Sequence, residues 1–300
     1  MYNEQGKNEY SIWILTAMAA PVIQAASNCS WPVVLVIGVL CLGICAGMER
    51  FDVGRNPGKW IGSVQWLWML LVISEFMHWV MFYWPVNQNY HALPILLLAL
   101  AAYASAGGAE RAARAGAVMW WFLLLLIGAV LLSGIGEVDL ENLAPSWDIQ
   151  TAHLVTVMLL PAMGISLSNT KQKTAILLFA VLVSAVTVGV LSMTLISQME
   201  APFYEMSRSL TLLGIGQRFE SLVAAGVTLG YYVLLAYLVT VSANAWEMGK
   251  RHNRSVWITA VFVALVFLSG MRLNSRILAL GTIGVWVVLP IFKKVIKFEK

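Results

Sequence analysis

Glu75 is the one acidic or basic side chain that falls well inside an apolar stretch of this chain, in Ile73-Ser74-Glu75-Phe76-Met77-His78-Trp79. A carboxylate at the centre of a bilayer costs roughly 2.5–3.5 kcal/mol on insertion scales, so such a residue faces a cavity or a partner. Glu75 and His78 stand three apart, which places them on one helix face. The pair suits a counter-charge for an amine ligand or a proton relay. The plainer alternative is a protonated Glu75 hydrogen-bonded to a neighbouring helix.

Two prolines mark a second kind of chemistry. Thr16-Ala17-Met18-Ala19-Ala20-Pro21 recurs as Thr156-Val157-Met158-Leu159-Leu160-Pro161, with Thr, Met and Pro in the same places. Proline inside an apolar helix removes a donor and crowds the preceding turn. Within lipid the freed carbonyls must be satisfied by protein or by a water-lined cavity. Breaks around Ala19–Val22 and Leu160–Gly164, spanning Pro161 and Met163, would offer half-helix ends to a carboxylate and carbonyls to a cation. Gly164 permits unwinding, and Gln24 adds a polar group just past the first break. Two merely kinked helices are the alternative.

Tyr231, Tyr232 and Tyr237 are further candidates, against packing or interfacial roles. The tryptophans read as interface anchors and core. Cys41 and Cys45, four apart, read as small packing residues rather than metal ligands. No phosphate loop, zinc spacing or hydrolase triad is present, so neither an enzyme nor a cofactor is expected, and no nucleic-acid partner.

The elements that position these groups follow from composition. The 300 residues are 60% hydrophobic and 11% charged, whereas a soluble domain carries about 25% charge. A spanning helix needs about 20 apolar residues, and about 17 suffice. Ten segments are read as spans, the fourth and ninth of them short: 11–27, 31–48, 60–83, 93–106, 115–135, 151–168, 174–197, 219–243, 256–269 and 273–291. The expected fold is an all-α polytopic membrane protein forming one integral membrane domain over 1–300. The first ten residues, with Glu4 and Glu9 against Lys7, make a poor signal peptide.

Charge orients the ten segments. One set of alternate connections carries Lys7, Arg50, Arg55, Lys59, Arg111, Arg114, Lys171, Lys173, Lys250, Arg251, Arg254, Lys293, Lys294, Lys297 and Lys300. The other carries Arg208, Arg218, Arg272 and Arg276. The positive-inside rule then puts both termini in the cytoplasm. Ten spans with an echo in the first and sixth imply two inverted halves, 11–135 and 151–291, with both broken helices near the centre. Glu205 to Leu213 reads as a short surface helix, touching a partner subunit or lying in the membrane interface.

Several stretches carry a family resemblance. Asn56-Pro57-Gly58-Lys59-Trp60-Ile61-Gly62-Ser63 resembles the Gly-Lys-Trp-Ile-Gly opening of the third span in spore-germination receptor B subunits, the GerAB family. Pro202-Phe203, Arg218-Phe219-Glu220-Ser221, Tyr103 to Arg111 and Lys171-Gln172-Lys173 fall in the same order as their family counterparts. The resemblance implies the amino acid–polyamine–organocation (APC, LeuT-like) transporter fold. It also implies a site between spans one, three, six and eight for a small nutrient such as an amino acid, in a bacterial cell or spore inner membrane. An A-type subunit and a lipoprotein C-type subunit would stand beside it. A proton-coupled permease using Glu75, or a scaffold subunit with a non-functional pocket, are the competing expectations. The chain departs from the family where a Gly-x-Gly break is replaced by Ala19-Ala20-Pro21, and where a glutamate near the span-six break is replaced by Ala162-Met163-Gly164-Ile165.

Overall fold

The computed structural model describes residues 4–50, 58–84, 91–147, 151–163, 170–210, 219–246 and 252–298. Twelve helices are present among them: α1 (Glu4–Ala26), α2 (Trp31–Arg50), α3 (Gly58–Met81), α4 (Ala92–Ala106), α5 (Ala109–Ile135), α6 (Ala152–Met163), α7 (Thr170–Ile196), α8 (Pro202–Ser209), α9 (Phe219–Trp246), α10 (His252–Leu268), α11 (Ser275–Ile283) and α12 (Leu289–Phe298). A π-helical stretch, Gly284–Val288, joins α11 to α12. The described residues form no strand. Each of the ten apolar segments falls on a helix, with α11 and α12 sharing the last. Six are long and apolar enough to cross a membrane: α2, α3, α5, α7, α9 and the joined α11–α12. Leucines such as Leu40, Leu125, Leu132 and Leu280 stand exposed along them. Such a surface fits hydrocarbon and not water.

The core lies where α1, α3 and α9 meet. Trp13, Phe76, Tyr83, Tyr231 and Tyr237 are all fully buried there. Indole–hydroxyl bonds tie α3 to its neighbours: Trp66 Nε1 donates to Thr259 of α10 at 2.8 Å, and Trp68 Nε1 to Thr282 of α11 at 3.1 Å. Just past α3, Trp84 Nε1 donates to Thr228 of α9 at 2.6 Å.

The packing pairs recur. α1 lies on α5 and α6 lies on α11; α1 lies on α7 and α6 on α2; α4 lies on α9 and α10 on α3; α9 lies on α10 and α3 on α4. The pairs α1–α6, α2–α7, α3–α9 and α4–α10 also pack. Polar contacts sort the connections into two ends. At one, Arg114 approaches Glu9 at 3.9 Å, Lys173 pairs with Glu49, and His252 lies 3.1 Å from the Ser105 carbonyl. At the other, Gln24 bonds the Glu200 carbonyl and Trp31 bonds the Leu143 carbonyl. The first is called the basic end below.

The expected break at Ala19-Ala20-Pro21 is corrected: α1 is helical from end to end through Pro21. Proline leaves only the Ala17 carbonyl without its helical donor. The flanking alanines are strong helix formers, and no glycine stands there to release the backbone. In α6 the helix also continues through Pro161 and ends at Met163; Gly164 lies outside the described residues. The interrupted helix is α7, which carries no proline. Ser192 adopts φ 63°, ψ 153° inside it, a region that only glycine visits without strain. The Gly189 carbonyl, nearby, accepts from the Asp139 N–H and the Asn142 amide, both at 3.0 Å. The connection after α5 thus caps the interruption.

The short surface helix is α8, beginning at Pro202 in its first turn. Phe203 and Met206 are fully buried against the chain's own helices, so neither a partner nor lipid is needed to cover its apolar face. Arg208 pairs with Glu205 at 3.8 Å and with Glu220 at 3.5 Å.

Candidate functional site

The polar centre of the candidate site lies toward the end opposite the basic one and is built by the last turn of α1, the residues just past α3, α8 and the middle of α9. Gln24 is 4% exposed. Its Nε2 donates to the Glu200 carbonyl at 2.7 Å, and its Oε1 accepts from the Tyr83 hydroxyl at 2.6 Å. The Tyr83 ring meets Tyr204 of α8 edge-on at 6.1 Å and lies 6.3 Å from Tyr231. Burial pushes the Tyr204 hydroxyl above the ordinary phenol range, and Glu220 and Glu205 reinforce the shift against Arg208. The Tyr231 hydroxyl is buried and makes no hydrogen bond among the described residues.

Tyr231 and Gln24 were both expected here, and the structure brings them together through Tyr83, which spacing did not reveal. Tyr83 closes the apolar run of α3, and only its hydroxyl, among several interfacial aromatics, meets an amide from another helix. Ala20 is also at this junction: its methyl lies 2.8 Å from where a Cβ on Gly230 would stand. α1 and α9 therefore pack closely, the Ala20 methyl against Gly230, where a ligand was expected. Pro21 is buried on the same helix. Ala19 turns away and lines an apolar cavity of about 320 Å³ between α1, α5 and α7, with Met18, Trp120 and Phe179. Tyr232 is half-buried, while Tyr231 is fully enclosed.

A second cluster surrounds Glu75. The carboxylate is half-buried and accepts from Trp79 Nε1 at 3.3 Å. The Trp79 ring stands edge-on to His153 of α6 at 6.0 Å. His78 turns elsewhere. It is 4% exposed, with Nδ1 2.8 Å from the Ser74 carbonyl and its ring 4.6 Å from Phe267 of α10. His91 lies against the same Phe267 at 5.3 Å. Glu75 and His78 share α3: Glu75 bonds Trp79, whose ring meets α6, and the His78 ring meets α10, while Arg272 lies within electrostatic reach of both.

The α6 end is the third cluster. The Tyr237 hydroxyl donates to the Leu160 carbonyl at 3.4 Å, and its ring meets Trp13 edge-on at 5.3 Å. Thus α1, α6 and α9 converge beside Pro161. Met163 is buried at this end. Among the described residues no group of three His, Cys, Asp or Glu could hold a metal. No family model matches the chain, and no curated protein proved similar to it in sequence.

The hydrogen-bond inventory of the polar centre makes a paired prediction. Tyr83→Phe strands the Gln24 carbonyl oxygen in a water-free setting and is expected to cost about 1–2 kcal/mol. Tyr231→Phe removes a hydroxyl that has no partner among the described residues and is expected to be neutral or mildly stabilising. Thermal unfolding of the purified protein in detergent reads both. Equal losses in the two variants would contradict this assignment.

Proposed function

We propose that the chain is the membrane subunit of a spore-germination nutrient receptor, built as ten spans in two inverted five-helix halves of the APC type. The observation that supports the two-half architecture is the recurrence of packing pairs; the receptor role rests on the sequence resemblance. Exchange α1, α2, α3, α4 and α5 for α6, α7, α9, α10 and α11–α12, and most of the helix contacts map onto other contacts of the same bundle. A chain of unrelated helices has no reason to repeat its neighbours in this way, whereas an inverted repeat requires it. The charge split orients both termini to the cytoplasm of a bacterial cell or spore inner membrane.

In this reading a small nutrient, such as an amino acid, binds where α1, α3, α6 and α9 meet. Ala20 against Gly230 and Gln24 against Tyr83 hold that junction shut. Binding then requires α1 to part from α9, and the ligand shifts a closed–open equilibrium by its preference for the open state. An A-type subunit and a lipoprotein C-type subunit would receive that shift. The same closure favours a second reading, a scaffold subunit whose pocket no longer opens.

A thermal-shift screen of amino acids, sugars and nucleosides on the purified protein separates the readings, alongside germination of a deletion strain. A ligand at a hundred times its Kd is expected to add about 2.7 kcal/mol of stability. No shift with any compound, together with unaltered germination on deletion, would remove the receptor reading. Uptake into proteoliposomes that Glu75→Gln abolishes would replace it with a proton-coupled permease.

A further inference from the structure

At the basic end, the turn between α4 and α5 and the first turn of α10 enclose an open groove of about 760 Å³, lined by Gly107, Gly108, His252, Arg254 and Trp257. Arg254 is exposed and makes no ion pair among the described residues. Beside the groove the Arg111 guanidinium lies 4.9 Å over the Tyr103 ring and 3.4 Å from its hydroxyl. Neither contact offsets its charge. The floor is fixed: the His252 ring sits 3.1 Å from the Ser105 carbonyl, and Ser105 Oγ donates to the Ala236 carbonyl. Two guanidinium groups without acidic partners among the described residues thus flank a concave, pre-formed surface.

We propose that this groove binds the phosphate headgroup of an anionic glycerophospholipid, with the acyl chains lying along α4 and α10. Three features select a lipid over a free anion. First, an apolar stripe leaves the groove on each helix: Tyr103, Leu100 and Leu96 on α4, and Trp257, Val261 and Leu265 on α10, all at least 42% exposed. Second, both helices are short. At 1.5 Å per residue, the 15 residues of α4 and the 17 of α10 reach roughly 22 and 26 Å, below the ~30 Å hydrocarbon thickness. A bilayer meeting a short hydrophobic stretch thins or lets flanking side chains reach outward. Either response brings headgroups down to Arg111 and Arg254. Third, exposed Tyr103 and Trp257 are the residue types that settle at headgroup level. Guanidinium pairs bind phosphate oxygens through parallel N–H donors, which ammonium groups do not match.

Native mass spectrometry of the full chain in neutral detergent tests the proposal, with dioleoyl phosphatidylglycerol, dioleoyl phosphatidylcholine and inorganic phosphate as probes. Phosphatidylglycerol is expected to bind in preference to phosphatidylcholine. Arg111→Gln with Arg254→Gln is expected to weaken phosphatidylglycerol about thirtyfold, at about fivefold per charge. The double lysine variant, which keeps the charges, should retain part of the affinity and shows that the fold survives. Arg50→Gln with Lys59→Gln removes as much charge from the same end, on other helices, and should change binding less than about threefold. Equal loss in both glutamine pairs would overturn the proposal in favour of diffuse attraction. Phosphatidylglycerol binding no better than phosphatidylcholine, or displaced by millimolar phosphate, would overturn it in favour of a free-anion site or none.

Discussion

Glu49→Gln is expected to destabilise the protein by about 3 kcal/mol, more than any other single charge change at the basic end. The Lys173 side chain is 5% exposed and pairs with Glu49 across 124 residues of sequence. Around it stand Gly38, Cys41, Cys45, Met158 and Leu177. Replacing the carboxylate by an amide leaves an ammonium among methylenes and thiols with no counter-charge. Breaking such a pair costs about 3–5 kcal/mol when both members are fully buried; Glu49 is 36% exposed, so the lower end applies. Two controls give the prediction its sign. Lys173→Met leaves a carboxylate that is 36% exposed and still solvated, and should cost less. Glu49→Leu with Lys173→Met removes both charges and should recover most of the loss, since apolar replacements of buried pairs are often neutral or better. Thermal unfolding in detergent measures all three. A double variant as unstable as Glu49→Gln would show that the pair is not what joins α2 to α7.

The two residues of that pair illustrate where sequence reading ends. Lys173 reads as part of a basic turn, because a lysine in a short polar connection counts toward the charged face. That it turns inward depends on where Glu49 lies, and nothing local to either residue specifies it. The bundle itself is more legible: each of the ten apolar segments coincides with a described helix over most of its described length, and six of these are long and apolar enough to cross a membrane. The break expected at Pro21 is not found there, and among the described residues non-helical backbone inside a helix falls at Ser192 instead, because proline is only one cause of a break. Pro21 is accommodated at the loss of one donor, after two alanines that favour helix. Ser192 holds a glycine-like conformation in a turn capped by donors from Asp139 and Asn142, well before it in the chain. The candidate site is half visible. Gln24 and Tyr231 stand out as polar residues in apolar runs, but Tyr83 resembles any interfacial aromatic until its hydroxyl is placed on Gln24. Glu75 and His78 share a helix face by number, yet the angle between them is wide enough for different neighbours to claim each.

Gly62→Ala is expected to cost about 2–3 kcal/mol, the upper part of the range for overpacking a close contact. Gly62 stands in the Gly58-Lys59-Trp60-Ile61-Gly62 stretch, and the reason for a hydrogen at that position is steric. A Cβ there would fall on the backbone carbonyl oxygen of Ala245, well inside contact distance. A carbonyl in a helix cannot rotate aside as a side chain can, so α3 and α9 must separate or tilt. Their neighbours resist that movement. One turn along α3, Trp66 stacks on Trp246 of α9 with ring centroids 4.7 Å apart, and it is held in turn by Thr259 of α10. Any shift that makes room for the added methyl therefore also opens the α3–α9–α10 contact. Gly43 is the matched control: a Cβ at that position of α2 meets nothing within 4 Å. Gly43→Ala should accordingly stabilise by about 0.5–1 kcal/mol through helix propensity alone. Opposite signs at two helical glycines, read by thermal unfolding of the purified variants, are the expected result. A Gly62→Ala protein as stable as the parent would mean that α3 and α9 do not approach at this point. It would also remove the steric reason for the resemblance that drew attention to the stretch.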